Sequence, residues 1–295
     1  MFSILIISHF IRNFNLEKYI YFLLLVISFD LLSQEKVIDT IQGTKQDLDE
    51  VVVQSIRVKY SSPISHSNIS KAELSLINLG QDLPILLNFL PSIITTSDAG
   101  NGVGYTGIRI RGVSSQSTNI TINGIPFNDP ESHGTYWVNL PDFTSSIESL
   151  QVQRGVGTST NGSGAFGASI NILTDIVSQD PYTEISNSVG SYNTFKHTIK
   201  FSTGKLNDVF ELSGRLSKID SDGYIERAFS DLKSYFLQGS YIHENTFIKV
   251  LTFGGHEKTY QSWFGVTKDQ ILENRRQNPY TYENEIDNYK QDHYQ

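Results

Sequence analysis

The chain has 295 residues, enough for a sizeable core or for two domains, with 31 acidic against 23 basic side chains and a formal net charge of −8. That balance, with no basic cluster, argues against a nucleic-acid partner. The absence of cysteine excludes disulfides, thiolate metal sites and a cysteine nucleophile, and the 7 histidines show no close pair at zinc spacing, so neither a metal nor a cofactor is expected.

At the N-terminus, Arg12 and Lys18 precede an apolar run over residues 19–29, followed by Asp30, Leu31, Leu32 and Ser33. The run is short for a bilayer span. A positive flank, a short apolar core and a small residue read as a secretory signal over residues 1–33, with a membrane anchor as the alternative. A second apolar stretch at residues 2–11 precedes Arg12, and a start later than Met1 would account for it. No later stretch has the length of a transmembrane helix. An exported chain of this kind that spans a membrane must do so with strands closed into a barrel, because only closure pairs every backbone polar group in lipid.

Residues 34–70 are polar with little periodicity and read as a flexible segment. Inside it, Glu50, Val51, Val52 and Val53 form a β-prone patch after Leu48-Asp49. The patch is either a strand lent to a partner by strand addition or an edge strand of the following domain.

Residues 71–175 read as a compact α/β domain. Leu79, Leu83, Leu86, Leu87 and Leu90 share one helical face, which predicts a helix over 79–90 ended by Pro91. Ile108-Arg109-Ile110-Arg111 alternates like a strand and runs into Gly112. Asn119-Ile120-Thr121-Ile122 alternates again and meets Asn123-Gly124, a hairpin signal. Residues 147–152 form another strand-like segment ending at Arg154-Gly155. Five glycines (155, 157, 162, 164 and 167) then crowd the approach to an alternating run at 169–173. A phosphate loop would need a lysine at a helix start, but no lysine lies between Lys71 and Lys196, and the glycines exit into a strand.

After Thr174 the pattern changes. Phe195, Ile199 and Phe201 alternate with Thr194, Lys196, Thr198, Lys200 and Ser202. Phe210, Leu212 and Leu216 oppose Glu211, Ser213, Arg215 and Ser217, and strand-like runs follow at 234–243 and 246–257. Strands of about ten residues, apolar outward and polar inward, suit an outer-membrane barrel, although a soluble β-sandwich face alternates similarly. From Trp263 onward the chain is polar and reads as a long loop. Four such strands cannot close a barrel, since the smallest have about eight, so the chain reads as the front part of a longer protein.

The order of these features resembles the TonB-dependent outer-membrane receptors, especially the form found in Bacteroidetes: an exported leader, the LDEVVV patch, a domain carrying IRIRG and INGIP, then IESLQVQRGVGTSTNGSGAFGASINILT and barrel-like strands. The resemblance implies an α+β plug domain (71–175) followed by antiparallel transmembrane β-barrel strands (176–295), with the barrel incomplete in this chain. It makes Glu50, Val51, Val52 and Val53 the TonB box, with TonB as the partner. It assigns Arg109, Arg111 and Gly112 to the plug's RG motif, and Glu148, Arg154 and Gly155 to its IERIEVLRG motif, charges that lock plug to wall. Asn123 and Gly124 belong to the same plug signature. Gln151 and Gln153 depart from the commoner Glu and Leu, which implies a simpler ion-pair pattern. The glycines are expected to let a loop pass close to the wall.

Two loops are candidate ligand contacts. Tyr105, Tyr136 and Trp137 either stack on a ligand or pack within their loops. Asp129, Glu131 and His133 either gather around a metal or build an Asx-type turn. No triad or dyad emerges, so no enzyme is expected. Only about fourteen residues separate the leader from the DEVVV patch, which leaves no room for the extra domains of glycan importers or signalling receptors of this family. The expected role is energised uptake of a ferric siderophore or other iron complex from outside the outer membrane. Cobalamin or another small nutrient is the alternative, and a structural or secretion barrel is the competing class.

Overall fold

The computed structural model describes residues 57–59, 61–156, 164–280 and 290–294. The leader, the Glu50–Val53 patch and Gly157 and Gly162 lie outside the described residues.

The plug is built on a five-stranded mixed sheet. Strand β1 (His66–Ser70) lies at one edge, and β6 (Ile147–Arg154), β7 (Ala168–Thr174), β4 (Thr118–Ile122) and the two-residue β5 (Ile125–Pro126) follow across it. Only the β4–β7 pair is parallel. A separate hairpin joins β2 (Ile93–Ser97) to β3 (Thr106–Ile110). The expected turn between β4 and β5 is present: Asn123 and Gly124 adopt φ of 50° and 84°, the double left-handed geometry of a tight hairpin. Strand β1 falls within the 34–70 stretch but pairs residue for residue with β6.

The helix expected over 79–90 is shorter. Helix α2 covers only Leu83–Leu86, with Pro84 in its first turn and Asp82 as its N-cap residue. Leu83, Leu86, Leu87 and Leu90 are buried as the spacing implies, but Leu79 is 61 % exposed. Gly80, at φ 117°, turns the chain before the helix can begin. Helix α1 (Lys71–Ile77) was not expected. It is started by a reciprocal capping box in which Ser70 and Glu73 satisfy each other's backbone N–H groups.

The plug core gathers Ile120, Ile122, Leu150, Val152, Ile170 and Ile172 from the sheet with Ile108, Ile110, Leu87 and Phe143 around it. Each such side chain contributes about 1.5–3 kcal/mol on burial.

Six further strands form an antiparallel meander, the wall: β8 (Tyr182–Gly190), β9 (Thr194–Ser202), β10 (Phe210–Ser221), β11 (Ser230–His243), β12 (Thr246–Tyr260) and β13 (Lys290–Tyr294). Strands β8 and β13 add to the four expected. The loop expected after Trp263 contains a short helix, α3 (Lys268–Glu273), begun by a Thr267–Gln270 capping box. Strand alternation separates two faces as expected. Lys196, Thr198, Lys200 and Ser202 of β9 and Glu211, Ser213, Arg215 and Ser217 of β10 are buried against the plug. Ile199, Leu216, Leu237, Ile248 and Val250 are exposed on the other face. The two-residue turn at 244–245 lies at one end of the meander, while the long connection 261–289 leaves from the other. Short periplasmic turns and longer extracellular loops are the rule in outer-membrane barrels, which puts the latter end outside.

Candidate functional site

The plug meets the wall at two carboxylates. Asp142 sits in a left-handed conformation (φ 52°) ahead of a 3-10 turn, Phe143–Ser146. Its Oδ1 takes the Lys196 ammonium at 2.7 Å and accepts from Ser145 Oγ at 2.6 Å. Its Oδ2 accepts from Thr198 Oγ1 and Ser217 Oγ, both at 2.7 Å, and lies 3.8 Å from Arg215 Nη1, an ion pair without a hydrogen bond. Burial alone would raise this carboxyl, but Arg215 and Lys196 outweigh it and hold its pKa at about 2. The preceding carbonyl, of Pro141, accepts from Ser234 Oγ (2.8 Å) and Arg215 Nη2 (3.4 Å).

Asp175, one residue past β7, is the second node. Its carboxylate bridges Lys71 (2.9 Å) and Lys200 (2.6 Å), and its carbonyl accepts from Gln238 Nε2 (2.9 Å) and Lys249 Nζ (3.2 Å). Burial would depress the Lys71 ammonium, but Asp175 and then Glu148 draw its pKa above the ordinary lysine value. Between the nodes, Phe143 packs edge-on against Phe236 and Phe253 of the wall, with ring centroids at 5.9 and 5.3 Å. Buried ion pairs of this kind gain little over an apolar contact but cost about 3–5 kcal/mol when one partner is removed.

At the outer end, the loop between β2 and β3 leans on the wall. Tyr224 N–H donates to Ala99 O at 2.8 Å, and Asn101 Nδ2 donates to Ser221 Oγ. Tyr105 is half-buried, meets the Trp263 ring edge-on at 5.1 Å, and accepts from Thr259 Oγ1 at 3.4 Å. Burial raises the Tyr105 phenol. Beneath it, Asp82 is buried; its N–H donates to Gly102 O and its Oδ2 accepts from Thr106 Oγ1. Burial pushes the Asp82 carboxyl well above the usual range.

Among the described residues, those expected to lock plug to wall make contacts within the plug. Glu148 pairs with Lys71 inside the plug at 3.4 Å. Arg154 donates to Ser65 Oγ and His66 O, tying β6 to the start of β1 and the residue before it. Burial, and then the neighbouring Arg111, lower its pKa. Arg111, at φ 54°, and Gly112, at φ 78°, form the turn after β3, and Arg109 is exposed on that strand. Gly155 adopts φ 97°, and a Cβ there would lie 2.8 Å from Arg111 Nη1. The close approach that this glycine permits among the described residues is within the plug, to an arginine. Gln151 has exchanged a possible carboxylate for a carboxamide that bonds the main chain of Val58.

The candidate ligand residues divide. Tyr105 reaches the outer end, and Tyr136 is exposed. Trp137 is 3 % exposed and belongs to the plug core, so it is not a stacking surface. Asp129 Oδ1 accepts from the N–H groups of Ser132 (2.6 Å) and Glu131 (3.1 Å), and its carbonyl accepts from His133 N–H. This is the Asx-type turn, and these bonds, that from Ser132 first, hold the Asp129 carboxyl below its usual range. Glu131 and His133 do not join it in a metal site: among the described residues no group of three or more carboxylates and imidazoles could hold an ion.

Sequence reasoning missed Asp142, Asp175 and Trp263. Lys196, Lys200 and Arg215 on the inward face of the wall were the available signal, since buried cations require anionic partners.

Residues 58–169 match the family model for the TonB-dependent receptor plug domain. The chain is 32% identical over 183 residues to the vitamin B12 transporter BtuB of Vibrio vulnificus, covering 61% of this chain and 29% of that protein. It is 26% identical over 220 residues to the probable TonB-dependent siderophore receptor PirA of Acinetobacter baumannii, covering 70% and 27%. Among solved structures it resembles the unliganded ferric citrate transporter FecA, with a TM-score of 0.59 and 16% identity over 74% of this chain and 34% of that one. It also resembles the ferric yersiniabactin uptake receptor FyuA of Yersinia pestis, with a TM-score of 0.54 and 18% identity over 68% and 33%. The chain spans less than a third of the length of the two sequence relatives. Residues 58–169 are therefore a TonB-dependent receptor plug domain, and the antiparallel strands that follow it share the fold of these solved structures, with their exposed apolar side chains on the face turned away from the plug.

Proposed function

We propose that the protein is an outer-membrane importer driven by TonB, and that its cargo is a ferric siderophore or other iron complex. The observation that supports this most directly is the way the plug is held. It is tied to the wall by two carboxylate nodes and a small aromatic contact, and its outer loop meets an extracellular connection through Tyr105 and Trp263. A domain so attached can report a ligand at one end and be displaced from the other. Tyr105 and Trp263 are the proposed ligand contacts from the described residues, with Tyr136, Asp129, Glu131 and His133 secondary. Glu50–Val53 is the proposed TonB box, and the leader delivers the chain through the periplasm.

The siderophore reading draws on PirA, FyuA and FecA. A second reading, cobalamin, draws on the 32% identity to a vitamin B12 transporter. Growth of a strain lacking the protein, on defined ferric chelates and separately under cobalamin dependence, distinguishes the two. The proline variant Val52→Pro removes a ladder donor and should abolish uptake while leaving ligand binding intact. A structural or secretion barrel would be indifferent to loss of residues 48–53, so unchanged phenotype on that deletion would overturn the importer reading.

A further inference from the structure

The chain just after the proposed TonB box is gripped by the plug sheet. Gln151, on β6, is 1 % exposed. Its Oε1 accepts from Val58 N–H at 2.8 Å and its Nε2 donates to Val58 O at 3.0 Å, so one carboxamide reads both backbone groups of one residue, as a neighbouring strand would. The same Nε2 donates to Asn68 Oδ1 at 2.7 Å. Next along the chain, the Arg57 guanidinium donates to Ser149 Oγ (2.9 Å), Ser149 O (2.9 Å) and Asn171 O (3.0 Å), beside the place where the β6–β7 register shifts between Ile147 and Ser149. Burial lowers the Arg57 pKa to about 10, which leaves it charged at neutral pH.

We infer that Gln151 and Arg57 are positioning residues that clasp the chain at 57–58 to the plug sheet, and that this clasp must open before a pull on the segment ahead of it reaches β1 and can peel it from β6. The inference rests on reading Glu50–Val53 as the box. A carboxamide suits the task better than a carboxylate. An ionised carboxylate could accept from Val58 N–H but could not donate to Val58 O or to Asn68.

Limited trypsin digestion of the detergent-solubilised protein, followed by mass spectrometry, tests it without ligand or TonB. Trypsin must take the Arg57 side chain into its own pocket, so cleavage after Arg57 requires the guanidinium to leave Ser149 and Asn171. Cleavage then tracks the open population. The Gln151→Leu variant should raise the rate of cleavage after Arg57 by about tenfold or more, the scale set by losing buried hydrogen bonds. The near-isosteric Gln151→Glu variant should give an intermediate rise and guards against a folding failure of the first. Cleavage after Lys71, which is anchored elsewhere on the plug, should stay unchanged in both. An unchanged rate after Arg57, or an equal rise at Lys71, would overturn the clasp. If the clasp responds as expected but uptake tolerates loss of residues 48–53, the clasp stands and the reading of the box falls instead.

Discussion

In the plug sheet, Ile120, Ile170 and Ile172 turn into a core with Leu150 and Val152. In the wall sheet, Ile199 and Leu216 turn away from the interior, and Lys196, Thr198, Arg215 and Ser217 turn into it. Both sheets obey the same period of two, yet the alternation is read in opposite senses because the two sheets have different surroundings. The plug is surrounded by polar groups and hides its apolar face. The wall is surrounded by lipid and shows it. Where the two meet, the wall's polar face supplies the cations and hydroxyls, and the plug must answer with Asp142 and Asp175.

That contrast can be broken at several points, with effects of decreasing size. The largest is expected at Asp142→Ala, which strands Lys196 and Arg215 without their shared anion. The loss should be about 3–5 kcal/mol, seen as early release of the plug in denaturant while wall strands persist. Next comes Leu216→Arg. A cation on the lipid-facing side should cost up to about 2–4 kcal/mol near the membrane centre, measured by refolding into lipid bilayers. Acid should weaken the joint in a set window. The Asp142 pKa of about 2 lies below the ordinary 3.8, so its ionised form stabilises the native state above about pH 4, and that stability disappears as the pH falls from about 4 to about 2. The gap corresponds to about 2 kcal/mol, and plug unfolding followed against pH in wild type and in Asp142→Ala should show the step in the first and not in the second. The smallest effect belongs to Gly155→Ala. A methyl group at φ 97° and 2.8 Å from the flexible end of Arg111 should cost about 1–2 kcal/mol and leave the wall unchanged in thermal unfolding.

The wall was the more legible region. Its alternation needs only nearest neighbours, so Phe195 to Ser202 and Phe210 to Ser217 could be sorted into faces from the sequence. The Asn123-Gly124 hairpin was equally local. Leu79 misled because spacing alone does not register Gly80 or Pro84, which confine the helix to four residues near the middle of the span. Helix α1 was available in Ser70-Lys71-Ala72-Glu73, a capping signature that stands before too short an apolar run to attract attention. Asp142 was not legible as a site, because its wall partners lie 54 to 75 residues further along the chain, from Lys196 to Ser217, and no local period links them. Gln151 could be recognised as a departure from the family pattern, but its attachment to Val58 depends on how the chain before β1 runs.

Four short contacts from Lys196, Ser145, Thr198 and Ser217 converge on the Asp142 carboxylate, with Arg215 just beyond. Such a joint is brittle rather than elastic. Its partners come from two wall strands and a plug turn, so a shift of an ångström strains all of them together and none can be surrendered alone. Under a steady load it would hold its geometry almost unchanged and then fail in one event, giving the gate a sharp yield point instead of a gradual leak.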